Sequence, residues 1–115
     1  MQPAQLQLEK LPASNGSHLA IRLNGKLSLE TVHNFIQALR PEPAAHLVLD
    51  MSGVGFLDSA GVGALVSIFV SRRNSGKTLA LAGLTQQGRA VLEVAGLTKL
   101  LPAFATVETA LEAKN

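Results

Sequence analysis

The sequence predicts an α/β domain, a small mixed, mostly parallel sheet of four to five strands with about four helices. Three observations carry that expectation. Two short runs near the start alternate apolar and polar residues, the period of half-buried strands. After them, segments of helical period and apolar strand-like segments alternate strictly, which calls for right-handed crossovers and parallel pairing. The run His-Leu-Val-Leu-Asp-Met at 46–51 is apolar without alternation, as in a strand covered on both faces.

Element by element, residues 6–11 form the first strand and 12–17 a turn. Leu19, Ile21 and Leu23 on one face of 18–23 make the second strand, an antiparallel partner that ends at Asn24-Gly25. Ser28 reads as the N-cap of a helix that has Glu30 in its first turn. Leu29, Val32, Phe35, Ile36 and Leu39 recur at helical spacing before Pro41 stops it. After the central strand at 46–51, a second helix runs from Ser59 to Asn74 and is closed by Gly76, with a strand at 78–84 behind it. Thr85 caps a third helix, with Val91, Leu92 and Ala95 on one side and Gly96 at its end. Residues 97–104 hold a last short strand, and Thr106 caps a fourth helix with Val107, Ala110 and Leu111 inward.

The 115 residues suit a single domain spanning 1–115, with 47% apolar and 16% charged residues, a composition that folds rather than stays disordered. With no Cys, disulfide scaffolds, thiolate metal sites and cysteine nucleophiles are excluded. The net charge of +2 is spread along the chain. Its one local basic cluster, Arg72, Arg73 and Lys77, has no Tyr or Trp to stack on bases, so no nucleic-acid partner is expected. Residues 1–5 lack the basic start of a signal peptide, and the apolar stretch 62–70 is far shorter than the roughly 20 residues of a membrane span. The expectation is a cytoplasmic protein without membrane insertion.

Three catalytic arrangements fail on their own requirements. Ser59 follows a strand and opens a helix, as a hydrolase nucleophile does, but such an elbow needs Gly where Leu57 stands, and no His occurs after His46. Ser75-Gly76-Lys77-Thr78 matches the tail of a phosphate-binding P-loop. Its first Gly would fall at Ser71, however, and the loop leaves a helix for a strand, so it reads as a helix C-cap. Asp50 and Asp58 are the only Asp residues, and His46 and Asp50 sit at opposite ends of a short strand, too far apart to share an ion. No catalytic residue, metal or cofactor is expected.

What remains is the segment 54–63 and the helix it starts. Asp58 is placed to cap that helix, with Gly61 and Gly63 allowing close packing on the sheet. On a helical wheel Val62, Leu65, Val66, Ile68, Phe69 and Val70 cover about 200°, the buried side. The other side holds Ser59, Ala60, Gly63, Ala64, Ser67 and Ser71, where a solvated face ordinarily carries Lys, Glu and Arg. Small uncharged residues let another chain come close at little entropic cost, so this face reads as a docking surface headed by Ser59. A phosphate at Ser59 would be tolerated by the free N–H groups of the helix start and would place charge on an uncharged surface.

At these residues the sequence resembles the STAS domain family, most closely its small bacterial members, the anti-sigma factor antagonists. The resemblance rests on the early hairpin, Gly25 to Leu27, the strand at 47–50, Asp-Ser-x-Gly-Val-Gly at 58–63, the strand after Lys77, and Gly96-Leu97. It implies a STAS-like fold and phosphorylation of Ser59 by a partner that is both anti-sigma factor and serine kinase. The unphosphorylated domain would bind that kinase and release a sigma factor, with ATP belonging to the kinase. The partner surface would comprise Asp58, Ser59, Ala60, Gly61, Gly63, Ser67 and Ser71. Family members often carry Ser or Thr where Ala60 stands and acidic residues where Lys26 and Ser28 stand. Other STAS roles are a stressosome-type scaffold and a subunit of a lipid-transport complex.

Overall fold

A computed structural model describes residues 5–12 and 17–113, so the reading of 1–4 and most of the 12–17 turn lies outside the described residues. The described residues form β1 (Leu6–Lys10), β2 (His18–Leu27), α1 (Val32–Leu39), β3 (His46–Leu57), α2 (Ser59–Asn74), β4 (Thr78–Ala82), α3 (Gln86–Val94), β5 (Ala103–Phe104) and α4 (Val107–Glu112). One sheet in the order β1-β2-β3-β4-β5 joins the strands. The β1–β2 pair is antiparallel and every other pair is parallel, as the alternation of helix and strand requires.

Side chains alternate across the strands, so each sheet face has its own core. Leu47, Leu49 and Met51 of β3 pack with Phe35 and Leu39 of α1, Leu65 and Ile68 of α2, and Leu92 of α3. The opposite face is narrower and built from Ala20, Val48, Ala80 and Ala82, small enough for α4 to settle on it through Ala110. Three helices therefore cover one face and α4 the other, which explains the absence of alternation in the first half of β3.

Several boundaries differ from the sequence expectation. β2 does not end at Asn24-Gly25. It runs on to Leu27 through two register shifts, each matched by one extra residue on β3, the first between Asp50 and Gly53 and the second at Gly55. Gly25 takes φ +124°, and a Cβ there would stand 2.2 Å from the Gln5 carbonyl oxygen, so only Gly fits. β3 is twice as long as the expected 46–51, because Met51, Val54 and Leu57 stay buried along a stretch whose Ser and Gly residues hide the pattern. β4 ends at Ala82 rather than 84, where Gly83 turns the chain at φ +66°.

α1 starts at Val32, after a turn over 28–31, and not at Ser28. Thr31 Oγ1 accepts from Ser28 N at 3.0 Å and donates to the Lys26 carbonyl at 2.8 Å, which holds the turn. Leu29, expected inward, is consequently 74% exposed. Ala95, expected on the packed side of α3, is exposed as well, and Leu92 alone of that trio is fully buried.

Candidate functional site

The head of α2 is assembled by Asp58, the extended residue between β3 and the helix. Its Oδ1 accepts from Gly61 N at 2.8 Å and its Oδ2 from Leu29 N at 3.1 Å, while its own N–H donates to the Leu27 carbonyl. One carboxylate thus caps α2 and ties it to the 28–31 turn. Behind it, Gly61 is buried against β2, where a Cβ would lie 2.2 Å from the Leu27 oxygen and 2.8 Å from Leu57 Cδ1. Gly61 is therefore a packing residue, and its expected place on the partner surface is corrected.

Ser59 is exposed as the first residue of α2, and its hydroxyl makes no hydrogen bond among the described residues. Ala60 beside it is half-buried. Gly63 and Ser71 are exposed and Ser67 half-exposed, so these five form a continuous small-residue stripe. Gly63 meets nothing within 4 Å of an added Cβ, which places it in solvent and corrects its expected packing on the sheet. Ala64 leaves the stripe, being buried in the core, and Val70 leaves the expected buried side, being 42% exposed. No charged residue interrupts α2 before Arg72.

The stripe borders a groove that the sequence reading missed. Ser59, Val62, Gly63 and Val66 line one wall, with Val91, Val94 and Leu97 on and after α3 opposite. Val94 is 91% exposed, an apolar side chain held in water. The signal available in the sequence was the presence of Val91, Val94 and Ala95 together, an apolar arc wider than one buried stripe needs. Exposed Leu29 and Phe56 add further apolar surface on the 28–31 turn and on β3.

The other candidate chemistries are occupied elsewhere. His46 is a buried core residue: its Nε2 hydrogen-bonds the Ala110 carbonyl at 2.8 Å and its Nδ1 pairs with Thr78 Oγ1 at 2.6 Å. The carbonyl can only accept, so Nε2 is a protonated nitrogen. Asp50 is not at the end of β3 as expected but inside it, with Oδ2 paired to Arg22 Nε at 3.1 Å and Oδ1 accepting from Ser52 N and Oγ. Burial raises its pKa, but the Ser52 hydrogen bonds and Arg22 more than offset this, so it titrates below the usual carboxylate value. No group of three His, Asp or Glu able to hold a metal occurs among the described residues. At 75–78, Lys77 N donates to the Arg72 carbonyl at 2.8 Å and Gly76 N to that of Arg73 at 3.1 Å, a Schellman C-cap.

With this geometry in place, a family model described as "Mlab, STAS domain" matches residues 11–102, well over half of the chain. The chain belongs to the STAS family. This STAS domain is 25% identical over 90 residues to an anti-sigma F factor antagonist of Paenibacillus polymyxa, covering 75% of this chain and 77% of the relative. Its fold is similar to that of an anti-sigma factor antagonist from Mycobacterium paratuberculosis (TM-score 0.79, 21% identity, 93% and 92% of the two chains). It is similar also to the anti-sigma factor antagonist SpoIIAA in its unphosphorylated form (TM-score 0.73, 21% identity, 94% of each chain). No helix of the STAS domain, among the described residues, is long and apolar enough to cross a membrane.

Proposed function

We propose that this STAS domain is a cytoplasmic, non-enzymatic anti-sigma factor antagonist that works by partner switching. Unphosphorylated, it occupies an anti-sigma factor serine kinase through the stripe Ser59, Ala60, Gly63, Ser67, Ser71 and the adjoining α2–α3 groove, with Asp58 holding the head of the surface in place. The kinase transfers the γ-phosphoryl group of its ATP to Ser59 Oγ, the hydroxyl proton passes to a base on the kinase, and ADP leaves. The phosphate brings a charge of about −1.5 to −2 onto an uncharged, close-packing face and expels the partner by desolvation and repulsion. The observation that carries this reading is the exposed, unengaged hydroxyl of Ser59 at the head of a helix face free of charge. The names of the relatives support it, as does a relative whose structure is of an unphosphorylated form.

Intact-mass spectrometry of the wild type and Ser59→Ala, after incubation with ATP and a lysate of the source organism, tests it. A single phosphate-sized increment on the wild type alone is the expected result. No increment on either protein, in a lysate whose serine kinase activity is demonstrated, overturns it. That outcome favours the second reading, a constitutive STAS scaffold or lipid-transport subunit. Lys26 points the same way, exposed on β2 in register with Phe56, where family members often carry an acidic residue.

A further inference from the structure

On the α4 side of the sheet, β4 stops at Ala82 and β5 at Phe104, while β2 and β3 run on. That step leaves a cavity of about 380 Å³ at the carboxyl ends of the short strands, the end of a parallel sheet where ligands commonly sit. Arg22 and Asp50, register partners on β2 and β3, form its floor, and Gly83 closes one side. A Cβ on Gly83 would come within 3.3 Å of Asp50 Oδ1 and 3.2 Å of Ser52 Cβ, so this corner is already close-packed. Leu11 and Val107 give apolar walls, and Glu108 is the remaining charged lining residue.

The hydrogen-bond inventory of this floor is uneven. Both Asp50 oxygens are engaged, Oδ1 by Ser52 N and Oγ and Oδ2 by Arg22 Nε. Arg22 has only that one bond, through Nε, so its two terminal nitrogens have no partner among the described residues. A guanidinium held at Nε by a nearly buried carboxylate, with its side chain 44% exposed, presents its two terminal nitrogens as parallel donors for a bidentate acceptor. A carboxylate or a phosphate matches that geometry, and Glu108 in the same cavity calls for a donor on the same molecule.

We propose that this cavity binds a small oxyanion, a carboxylate or a phosphate monoester, that also carries a hydroxyl group: the terminal nitrogens of Arg22 take the oxyanion and Glu108 accepts from the hydroxyl. The site lies across the sheet from α2 and is independent of Ser59. The test is an NMR titration of the ¹⁵N-labelled full chain with L-malate and, separately, ribose 5-phosphate, against sodium chloride at matched ionic strength. Saturable amide shifts at Arg22, Ser52 and Gly83 with at least one probe are expected, and which probe binds tells carboxylate from phosphate. Arg22→Gln and Arg22→Lys, the latter keeping the charge without the fork, should each bind at least about tenfold more weakly. The proposal fails if neither probe gives saturable shifts, if sodium chloride reproduces them, or if both variants fold and bind as the wild type does.

Discussion

At the scale of single residues, the sharpest departure from the sequence reading is Arg72. It belongs by position to a basic cluster, yet it is almost completely buried, and its guanidinium bridges three main-chain segments. Nε donates to the Thr78 carbonyl at 2.9 Å, one terminal nitrogen to Glu42 O at 3.2 Å, and the other to Ala44 O. The end of α2, the start of β4 and the loop before β3 are thus tied by one side chain. Burial lowers its pKa and the charge of Glu42 partly restores it, so the loop pays in solvation and recovers in hydrogen bonds. Arg72→Met keeps the apolar stem and removes the donors, leaving three carbonyls without their partner. A loss of about 2–4 kcal/mol in urea unfolding is expected, and a loss below about 1 kcal/mol would mean that water replaces the guanidinium without cost. Nothing in residue order distinguishes Arg72 from Arg73, which stays exposed. The difference arises only when β4 and the 41–45 loop close over the helix end.

At the scale of elements, α2 shows why some segments were legible and others not. Its bounds, Ser59–Asn74, agree with the sequence expectation, because both ends carry their own local chemistry: the Asp58 cap at the start and Gly76 with φ +74° at the end. α1 lacks such a signal. Ser28 has the right chemistry for a cap, but the 28–31 turn is held by Thr31 and by a bond from Leu29 N to Asp58, 29 residues away in sequence, and no local pattern reports that second tie. The same long-range tie positions Leu29 in solvent. For the docking face, the small residues of the α2 stripe were legible, whereas the α3 wall was not, since the register between two helices is set by the sheet beneath them. Ser67 sits half-exposed in the middle of the stripe, where a long charged side chain has room to leave toward solvent. Ser67→Arg should therefore leave stability within about 0.5 kcal/mol of wild type while abolishing binding to the anti-sigma partner in a titration. Undiminished affinity in a folded variant would show that the partner docks elsewhere.

At the scale of the whole molecule, the parallel order of the strands was legible because every crossover is a helix, and the sheet needed only the sequential order to be complete. The asymmetry of its faces was not, since the alanines of one face are spread over β2, β4 and α4 and become a surface only after pairing. That asymmetry bears on how a phosphate at Ser59 can act. The α2 head touches the 28–31 turn and borders α3, all on one side of the sheet, while α4 is anchored on the other by Ala110 and by His46. Between them stands β3, paired with β2 along its length and with β4 over 46–50, and among the described residues no buried charge network connects Ser59 to α4: Asp58 faces the turn, and Asp50 faces Arg22 and Ser52. A charge at Ser59 also meets free N–H groups at a helix start, where negative charge contributes about 0.3–1 kcal/mol of stabilisation. The domain thus has reason to keep its shape when modified, with the effect confined to the surface. Ser59→Glu should accordingly unfold at a temperature equal to or slightly above that of wild type and lose partner binding. Its amide shifts should be restricted to the 28–31 turn, the first turns of α2 and the facing side of α3. Shifts spreading into α4 and β1 would refute a surface switch and show instead that the sheet itself transmits a rearrangement.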